Sequence, residues 1–452
     1  MKRNAALALS VLLVSSVLLA QPPTIEIAQP HDAGAAAIAF LDLLVKGDFP
    51  TAVQNFTERM KAAAPPAKLA EIWTALLGQM GPYKRRVATR TVKEGLYEVV
   101  FATTEFERGT LDLKVALDES GRIAGFFVVP APTADQPAPA DPGPPPYARP
   151  DAFREREVTV GSGDWAVPGT LAMPAGQGPF PAVVLVHGSG PNDRDETVGG
   201  AKPFRDLAWG LACRGIAVLR YEKRTRQHGA KLASAAGFTV QQETIDDALA
   251  AAALLRGTEG IDAGRVFVLG HSLGAMLVPR IGRQDPKIAG FIVMAGAARP
   301  LDELILEQVT YIAALDGVVS DEEKGQIAGL REQVARVKAL QPGATGTVLG
   351  APASYWLDLR GYNPPEAARA LQRPMLILQG ERDYQVPMGE LAVWRKALAG
   401  HPGVTFKSYP GLNHLFIAGE GRPGPAEYQR PGHVAEAVVA DIAAWIPTGA
   451  LP

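Results

Sequence analysis

Short runs of apolar residues, separated by longer segments with helical spacing, constrain the fold of the last two thirds of this chain. The runs cover residues 182–186, 216–219, 266–269, 291–294 and 375–378. Continuous apolar runs of this length are typical of strands that are buried on both faces of a parallel sheet. Helical stretches such as 244–255 lie between them. The alternation predicts an α/β fold with a doubly wound, mostly parallel sheet, whose functional groups gather at the carboxyl ends of the strands.

A proline-rich segment at 131–150 divides the chain, whose 452 residues are too many for one hydrophobic core. Proline at this density favours an extended, semi-rigid linker. Before it, helical spacing at 35–45 and 68–80 is followed by short strands, interrupted at Gly95, Gly109 and Gly121. We therefore expect a small α+β domain at 31–130, a linker at 131–150 and a larger domain at 151–452. The order of elements in the small domain resembles the cone-shaped fold of nuclear-transport-factor-type domains.

A long segment separates the apolar run that ends at Met294 from the next run at Met375. Within it, residues 301–315 and 320–340 have helical spacing, and Ser320 with Glu323 forms the pattern of a capping box. An insertion at this point of the sheet predicts a helical cap over the strand ends, at about residues 297–370.

The N-terminus has the pattern of a signal peptide. Lys2 and Arg3 precede an apolar run at 5–20, and Gln21-Pro22-Pro23 ends it. The run is shorter than the about 20 residues of a membrane-spanning helix. We therefore expect residues 1–20 to be a signal peptide and the protein to be secreted or periplasmic. Because Leu18 is large for a cleavage site, an uncleaved membrane anchor is the alternative.

Charge and cysteine content exclude several classes of function. The formal net charge is −2, which gives no indication of a nucleic-acid partner. The single cysteine, Cys213, excludes an internal disulfide framework and a cysteine-rich metal site. Neither property indicates the oligomeric state.

Ser272 is the candidate nucleophile, because it lies in a Gly-x-Ser-x-Gly motif between an apolar strand and a helix. Such a motif raises the serine hydroxyl on a sharp turn, and the flanking glycines leave room for the crossing of strand and helix. The amide of Leu273, at the start of the helix, is a candidate oxyanion donor. A chance match of the motif is the alternative, but chance does not supply the flanking strand and helix. The preceding residue, His271, is expected to fill space beside the turn.

The second oxyanion donor is expected after the earlier strand, in His187-Gly188-Ser189-Gly190-Pro191. Glycines there allow the backbone to approach an acyl oxygen closely, and the Ser189 amide is the candidate donor. His187 is expected to hold the loop through hydrogen bonds.

His414 and Asp383 are the candidate base and acid, since both follow late strands in the chain order serine, aspartate, histidine. An aspartate in that position can orient the imidazole and stabilise its charged form. Glu381 is the weaker candidate acid, and His433 is the weaker candidate base.

Together these motifs resemble the α/β-hydrolase superfamily over residues 153–447. His187-Gly188-Ser189-Gly190-Pro191-Asn192-Asp193-Arg194-Asp195-Glu196, Arg220-Tyr221-Glu222-Lys223-Arg224 and Gly380-Glu381-Arg382-Asp383-Tyr384-Gln385-Val386 look like the bacterial carboxylesterase branch related to serine aminopeptidases. The resemblance implies hydrolysis of small-molecule carboxylic esters, often with short acyl chains, through a Ser-His-Asp triad and an acyl-enzyme, without metal or cofactor.

Several alternatives stay open at this point. The same triad would serve a serine peptidase or amidase. If the hydrolase domain were inactive, the protein would be a non-catalytic binding protein, and the small N-terminal domain is a separate candidate for binding glycan, peptide or the cell envelope. Arg194 either helps to bind substrate or belongs to a solvated turn with internal salt bridges.

Overall fold

The computed structural model describes residues 32–94, 97–131, 141–234 and 237–448. The predicted signal peptide, Gly95 and residues 132–140 of the predicted linker lie outside the described residues. The chain forms two compact units that divide near residue 138. Among the described residues, no helix is both long enough and apolar enough to cross a membrane.

The described residues of the first unit form four α-helices and a four-stranded antiparallel sheet in the order β1-β2-β3-β4. Its elements are α1 Ala33–Lys46, α2 Phe49–Ala52, α3 Glu58–Ala63, α4 Pro66–Met80, β1 Tyr83–Glu94, β2 Tyr97–Phe106, β3 Gly109–Leu117 and β4 Ile123–Pro130. The carboxylate of Asp32 caps α1 by accepting the Ala35 amide at 3.0 Å. Phe40, Trp73 and Phe106 belong to the core between helices and sheet. This arrangement confirms the predicted α+β class.

The second unit is built on an eight-stranded sheet in the order β14-β13-β10-β9-β7-β8-β6-β5. These strands are β5 Phe153–Val160, β6 Val167–Pro174, β7 Phe180–Val186, β8 Ala217–Tyr221, β9 Ile261–His271, β10 Phe291–Met294, β13 Met375–Gly380 and β14 Val404–Tyr409. Neighbouring strands from β14 to β8 are parallel, whereas β6 pairs antiparallel with both β8 and β5. The sheet confirms the predicted α/β class with a mostly parallel sheet.

The central strands are buried on both faces, as their continuous apolar sequences require. In β7, Val184 belongs to one core cluster and Val183 to the other, because successive side chains of a strand point to opposite faces. Val268 and Phe267 of β9 divide in the same way. The strands therefore have no solvent face, and helices cover the sheet from both sides.

Eleven α-helices are described in this unit. They are α5 Pro203–Ala212, α6 Arg224–Gln227, α7 Gly229–Ser234, α8 Asp246–Arg256, α9 Leu273–Gln284, α10 Leu301–Ala313, α11 Asp321–Ala339, α12 Ala353–Leu359, α13 Pro364–Arg369, α14 Met388–Ala397 and α15 Glu436–Thr448. Residues of α8, α9 and α14 pack in one core cluster, and residues of α5 and α15 pack in the other.

The chain between β10 and β13 holds α10 to α13 and a two-stranded ribbon, β11 Thr347–Val348 with β12 Ala351–Pro352. The capping box predicted at Ser320 and Glu323 is present at the start of α11. The Gln308 side chain of α10 donates to the carbonyl of Gln385 at 2.8 Å. This insertion is therefore tied to the loop that follows β13.

The crossing of β9, α9 and the end of β7 leaves no room for side chains at two glycines. A Cβ at Gly270 would lie 2.4 Å from the backbone of Gly274, and a Cβ at Gly274 would lie 2.2 Å from the carbonyl oxygen of Val186. Between these glycines, Ser272 has φ 54° and ψ −116°. The sharp turn from strand to helix is therefore possible because the residues two positions before and after Ser272 lack a Cβ.

Replacing Gly274 by alanine should destabilise the protein by about 3 kcal/mol or more, because the added methyl group meets rigid backbone rather than a flexible side chain. Gly389→Ala is a matched control, since Gly389 is also the second residue of a helix and a Cβ there would meet nothing within 4 Å. Thermal unfolding followed by circular dichroism should show a large decrease in melting temperature for Gly274→Ala only. Equal melting temperatures would contradict the close crossing.

Candidate active site

The sheet brings the four predicted site segments to one edge. Ser272 directly follows β9, Asp383 lies just after β13, and His414 lies just after β14. The loop with Ser189 follows β7, which pairs with β9. Because these strands are parallel, their carboxyl ends share one edge of the sheet, as the sequence predicted.

Ser272 is a half-buried residue in the left-handed region of φ, which only glycine adopts without strain. Its amide donates to the carbonyl of Met294 at 2.9 Å, and its carbonyl accepts the Met276 amide at 3.0 Å. The first bond ties the turn to β10, and the second begins α9. The hydroxyl-bearing residue is therefore fixed at the N-terminal end of a helix, where the helix dipole favours negative charge.

His414 and Asp383 form a buried pair, with Nδ1 of the imidazole 2.7 Å from Oδ2 of the carboxylate. Oδ1 of the carboxylate accepts the amides of Gln385 and Val386, both at 2.8 Å. Oδ2 also accepts Nε2 of Gln379 at 3.0 Å. The carboxylate is thus held by its own loop, and it selects the tautomer in which Nδ1 carries the proton and Nε2 can accept one.

The turn that carries His414 is fixed by its neighbour Asn413, whose Oδ1 accepts the amides of Leu415 at 3.0 Å and Ile417 at 3.2 Å. The turn also lies directly against β13, since a Cβ at Gly380 would be 2.5 Å from the carbonyl oxygen of Asn413. The turn that carries the imidazole is therefore held by the Asn413 side chain and by its close packing against β13.

The two weaker candidates are engaged elsewhere. Nδ1 of His433 lies 3.1 Å from Oδ2 of Asp206, and Oε1 of the exposed Glu381 accepts the Ser408 hydroxyl at 2.8 Å. Neither contact involves Asp383 or His414.

The loop after β7 lies against Ser272. A Cβ at Gly188 would be 3.1 Å from Cβ of Ser272 and 3.6 Å from its Oγ. The Gly188 amide donates to Oε1 of Glu196 at 2.6 Å, and the Gly188 carbonyl accepts Nζ of Lys223 at 2.7 Å. Both polar groups of Gly188 are therefore occupied, which leaves the Ser189 amide as the next donor in the loop.

His187 fixes this loop through a hydrogen bond and through packing of its ring. Its Nε2 lies 3.0 Å from the carbonyl oxygen of Asp193, and its ring packs against Phe204 and Tyr221. Burial lowers the pKa of His187 to about 4, so the ring is neutral at neutral pH and donates to that carbonyl. These contacts fit the structural role that we expected from the sequence.

His271 and Glu196 have contacts in the site that the sequence did not predict. Nε2 of His271 donates to the carbonyl of His414 at 2.9 Å, and Nδ1 lies 2.9 Å from Oε2 of Glu196. Burial alone would lower the pKa of His271, but the Glu196 carboxylate outweighs it and raises that pKa. Burial alone would raise the pKa of Glu196, which the His271 charge holds below its ordinary value. The two side chains therefore form a buried ion pair, and His271 does more than fill space.

Arg194 is surrounded by protein partners. Its Nη1 donates to Oε1 of Glu157 at 2.7 Å and to the hydroxyl of Thr170 at 2.6 Å, and its Nε donates to Glu222 at 2.9 Å. These contacts favour an internal ion-pair network over the substrate-binding role.

The part of the chain that the structure describes contains no group of three or more His, Cys, Asp or Glu side chains that could hold a metal ion. A cavity of about 360 Å³ lies between the start of α10, the end of α11 and residues 356–363, with Trp356 and Tyr362 in its wall. None of Ser272, Asp383 and His414 lines it.

Comparison with known proteins identifies the family. Residues 183–423 match the model described as "Alpha/beta hydrolase family", and residues 37–126 match a "Protein of unknown function (DUF3887)". The chain is 39% identical over 410 residues to the esterase EstD of Thermotoga maritima, an alignment that covers 91% of this chain and 94% of that protein.

Two other similarities cover less of the chain. The alpha/beta hydrolase domain-containing protein WAV2 of Arabidopsis thaliana is 29% identical over 182 residues, which are 40% of this chain and 50% of that protein. The crystal structure of a hyperthermophilic esterase from Pyrobaculum calidifontis superposes with a TM-score of 0.44 at 19% identity, over 66% of this chain and 87% of that one. On the family match and the full-length relative, the chain belongs to the alpha/beta hydrolase family.

Proposed function

We propose that the protein is a serine carboxylesterase in which Ser272 is the nucleophile, His414 the general base and Asp383 the orienting acid. One observation carries the proposal: a buried imidazole–carboxylate pair, 2.7 Å apart, lies at the same sheet edge as a serine on a strained turn. The full-length similarity to a protein named as an esterase supports ester substrates. The inference of short acyl chains rests on the resemblance to the carboxylesterase branch.

Acyl transfer proceeds in two steps in this proposal. Nε2 of His414 takes the proton of the Ser272 hydroxyl as Oγ attacks the ester carbonyl carbon, and the imidazolium then gives that proton to the leaving alcohol. A water molecule, deprotonated by the same nitrogen, attacks the acyl-enzyme and releases the acid. Asp383 accepts the hydrogen bond from Nδ1 throughout and stabilises the imidazolium.

The amides of Ser189 and Leu273 are the proposed oxyanion donors. Leu273 is the first residue of α9, where the amide has no partner one turn earlier in the helix. Ser189 follows Gly188, whose own amide is bound to Glu196. Each such donor contributes on the order of 3 kcal/mol to the stability of the transition state.

Hydrolysis of p-nitrophenyl esters tests the nucleophile. The wild-type protein should hydrolyse acetate and butyrate esters faster than longer ones, and Ser272→Ala should lower kcat by roughly 10⁴ or more, because no other group forms the acyl-enzyme. Amide analogues with the same acyl groups, assayed in parallel, separate an esterase from an amidase. Equal ester hydrolysis by wild type and Ser272→Ala would remove Ser272 from the mechanism.

Asp383→Asn tests the acid. Asparagine keeps the shape but presents an amide to Nδ1, which selects the wrong tautomer of His414, so kcat should decrease by roughly 10⁴. Glu381→Gln is the control, since this exposed carboxylate contacts Ser408 rather than His414. A large loss of kcat in Glu381→Gln with little loss in Asp383→Asn would reverse the assignment of the acid.

The proposal also includes the signal peptide at residues 1–20 and the domain boundaries given above. If residues 1–20 are a cleaved signal peptide, the N-terminal sequence of the protein recovered from the periplasm or medium should begin at Gln21. Recovery from the membrane with Met1 retained would support the uncleaved anchor instead.

A further inference from the structure

Glu196 and His271 connect two parts of the site that are far apart in the chain. Oε1 of Glu196 accepts the Gly188 amide at 2.6 Å, and its Oε2 lies 2.9 Å from Nδ1 of His271. Nε2 of His271 donates to the backbone carbonyl of His414 at 2.9 Å. A continuous chain of polar contacts therefore runs from the loop after β7 to the turn after β14.

We propose that the Glu196–His271 ion pair is a positioning device. It fixes the loop after β7, which carries Gly188 and Ser189, and the backbone of His414 in their positions beside Ser272. This inference rests on the proposed esterase mechanism, for which it names two further residues. Neither residue touches the ester, and both act through Gly188 and His414.

At the loop end, Glu196 determines which amide can serve as a donor. Its carboxylate binds the amide of Gly188, while Lys223 binds the carbonyl of the same residue at 2.7 Å. With both groups occupied, the peptide plane that carries the Ser189 amide has a fixed starting direction. Without Glu196, the Gly188 amide would lose its partner, and only the bond from Lys223 to the Gly188 carbonyl would fix the direction of the Ser189 amide.

The backbone of Glu196 supports a special role for its side chain. Its φ is 51°, in the left-handed region that costs a non-glycine residue about 1 kcal/mol or more. Glycine at this position would avoid that strain but would have no carboxylate. The strained conformation is the one that directs the carboxylate to Gly188.

At the histidine end, His271 supports His414 in two ways. It donates to the carbonyl of His414, and the centroids of the two rings lie 4.7 Å apart. His271 also directly precedes Ser272 in the chain. A movement of His271 would therefore displace the nucleophile and the base together.

The experiment compares kcat, KM and melting temperature for Glu196→Gln and His271→Gln. Each variant keeps a polar side chain of similar length that can still bind the backbone but cannot form the ion pair. We expect kcat on p-nitrophenyl butyrate to decrease by about 10-fold to 100-fold with KM changed less than about threefold, because the transition state loses alignment that the bound ester does not need. The double variant should lose no more than the poorer single variant, since both substitutions break one contact.

Asp247→Asn is the matched control for a merely structural effect. Asp247 forms another buried ion pair of the same unit with Arg224, and neither residue contacts Ser272, Gly188 or His414. This variant should have a lower melting temperature and an unchanged kcat when assayed below its unfolding transition. A kcat loss in Asp247→Asn as large as in Glu196→Gln would overturn the positioning role.

The outcomes also separate this inference from the proposed function. Ser272→Ala activity equal to that of wild type would refute the esterase mechanism itself. Loss of activity in Ser272→Ala with normal kcat in both Glu196→Gln and His271→Gln would refute the positioning device alone. If one of these two variants does not fold, the kcat and KM of the other decide.

Discussion

The close crossing of β9, α9 and the end of β7 is the constraint on which the candidate site depends. A Cβ at Gly274 would lie 2.2 Å from the Val186 carbonyl oxygen, so the start of α9 rests directly on the backbone of β7. This contact brings the loop after β7 against Ser272 and places the Leu273 amide at a helix end. With larger residues at the crossing, the helix would move outward and the candidate donors would separate from the nucleophile.

The strain at Ser272 is sustained by the surrounding packing rather than by local preference. A left-handed φ at serine is unfavourable by itself. It persists because the residues on either side lie in elements that cannot move, with Val268 and Leu269 of β9 fully buried and Leu273 and Met276 of α9 nearly so. The turn is therefore determined by the sheet, and the sheet is determined by the apolar runs of the sequence.

This dependence explains why most of the second unit could be predicted from the sequence. Strands buried on both faces have continuous apolar sequences, and the motifs that follow them mark the carboxyl ends. The edge strand β5 had no such signal, because half of its sequence Phe-Arg-Glu-Arg-Glu-Val-Thr-Val is charged and its residues are mostly exposed. An edge strand packs little, so its sequence does not have to be apolar. It pairs with β6 along its whole length, and the Thr170 hydroxyl of β6 also donates to Oε1 of Glu157 in β5 at 2.9 Å.

The candidate triad could be predicted from the sequence for a related reason. Ser272, Asp383 and His414 each follow a recognisable strand, and their order along the chain is that of known hydrolases. Glu196 had no comparable signal. It ends a charged stretch that has the composition of a solvated turn, yet its side chain is 3% exposed because the loop folds back under Gly188. His271 was visible beside Ser272, but the partner that gives it a role lies in another loop, which only the tertiary fold brings near.

The backbone groups beside the Glu196–His271 pair explain why these two buried side chains are polar. Two buried charges are costly to desolvate, and an apolar pair of similar volume would often stabilise a protein core as well or better. Here an apolar pair would leave the Gly188 amide and the His414 carbonyl without partners, and each buried polar group without a partner costs about 1 to 3 kcal/mol. Glu196 and His271 meet both requirements, because each uses one polar atom on the backbone and another on its partner. The ion pair is therefore the arrangement that can join the two loops while the Gly188 amide and the His414 carbonyl both keep a partner.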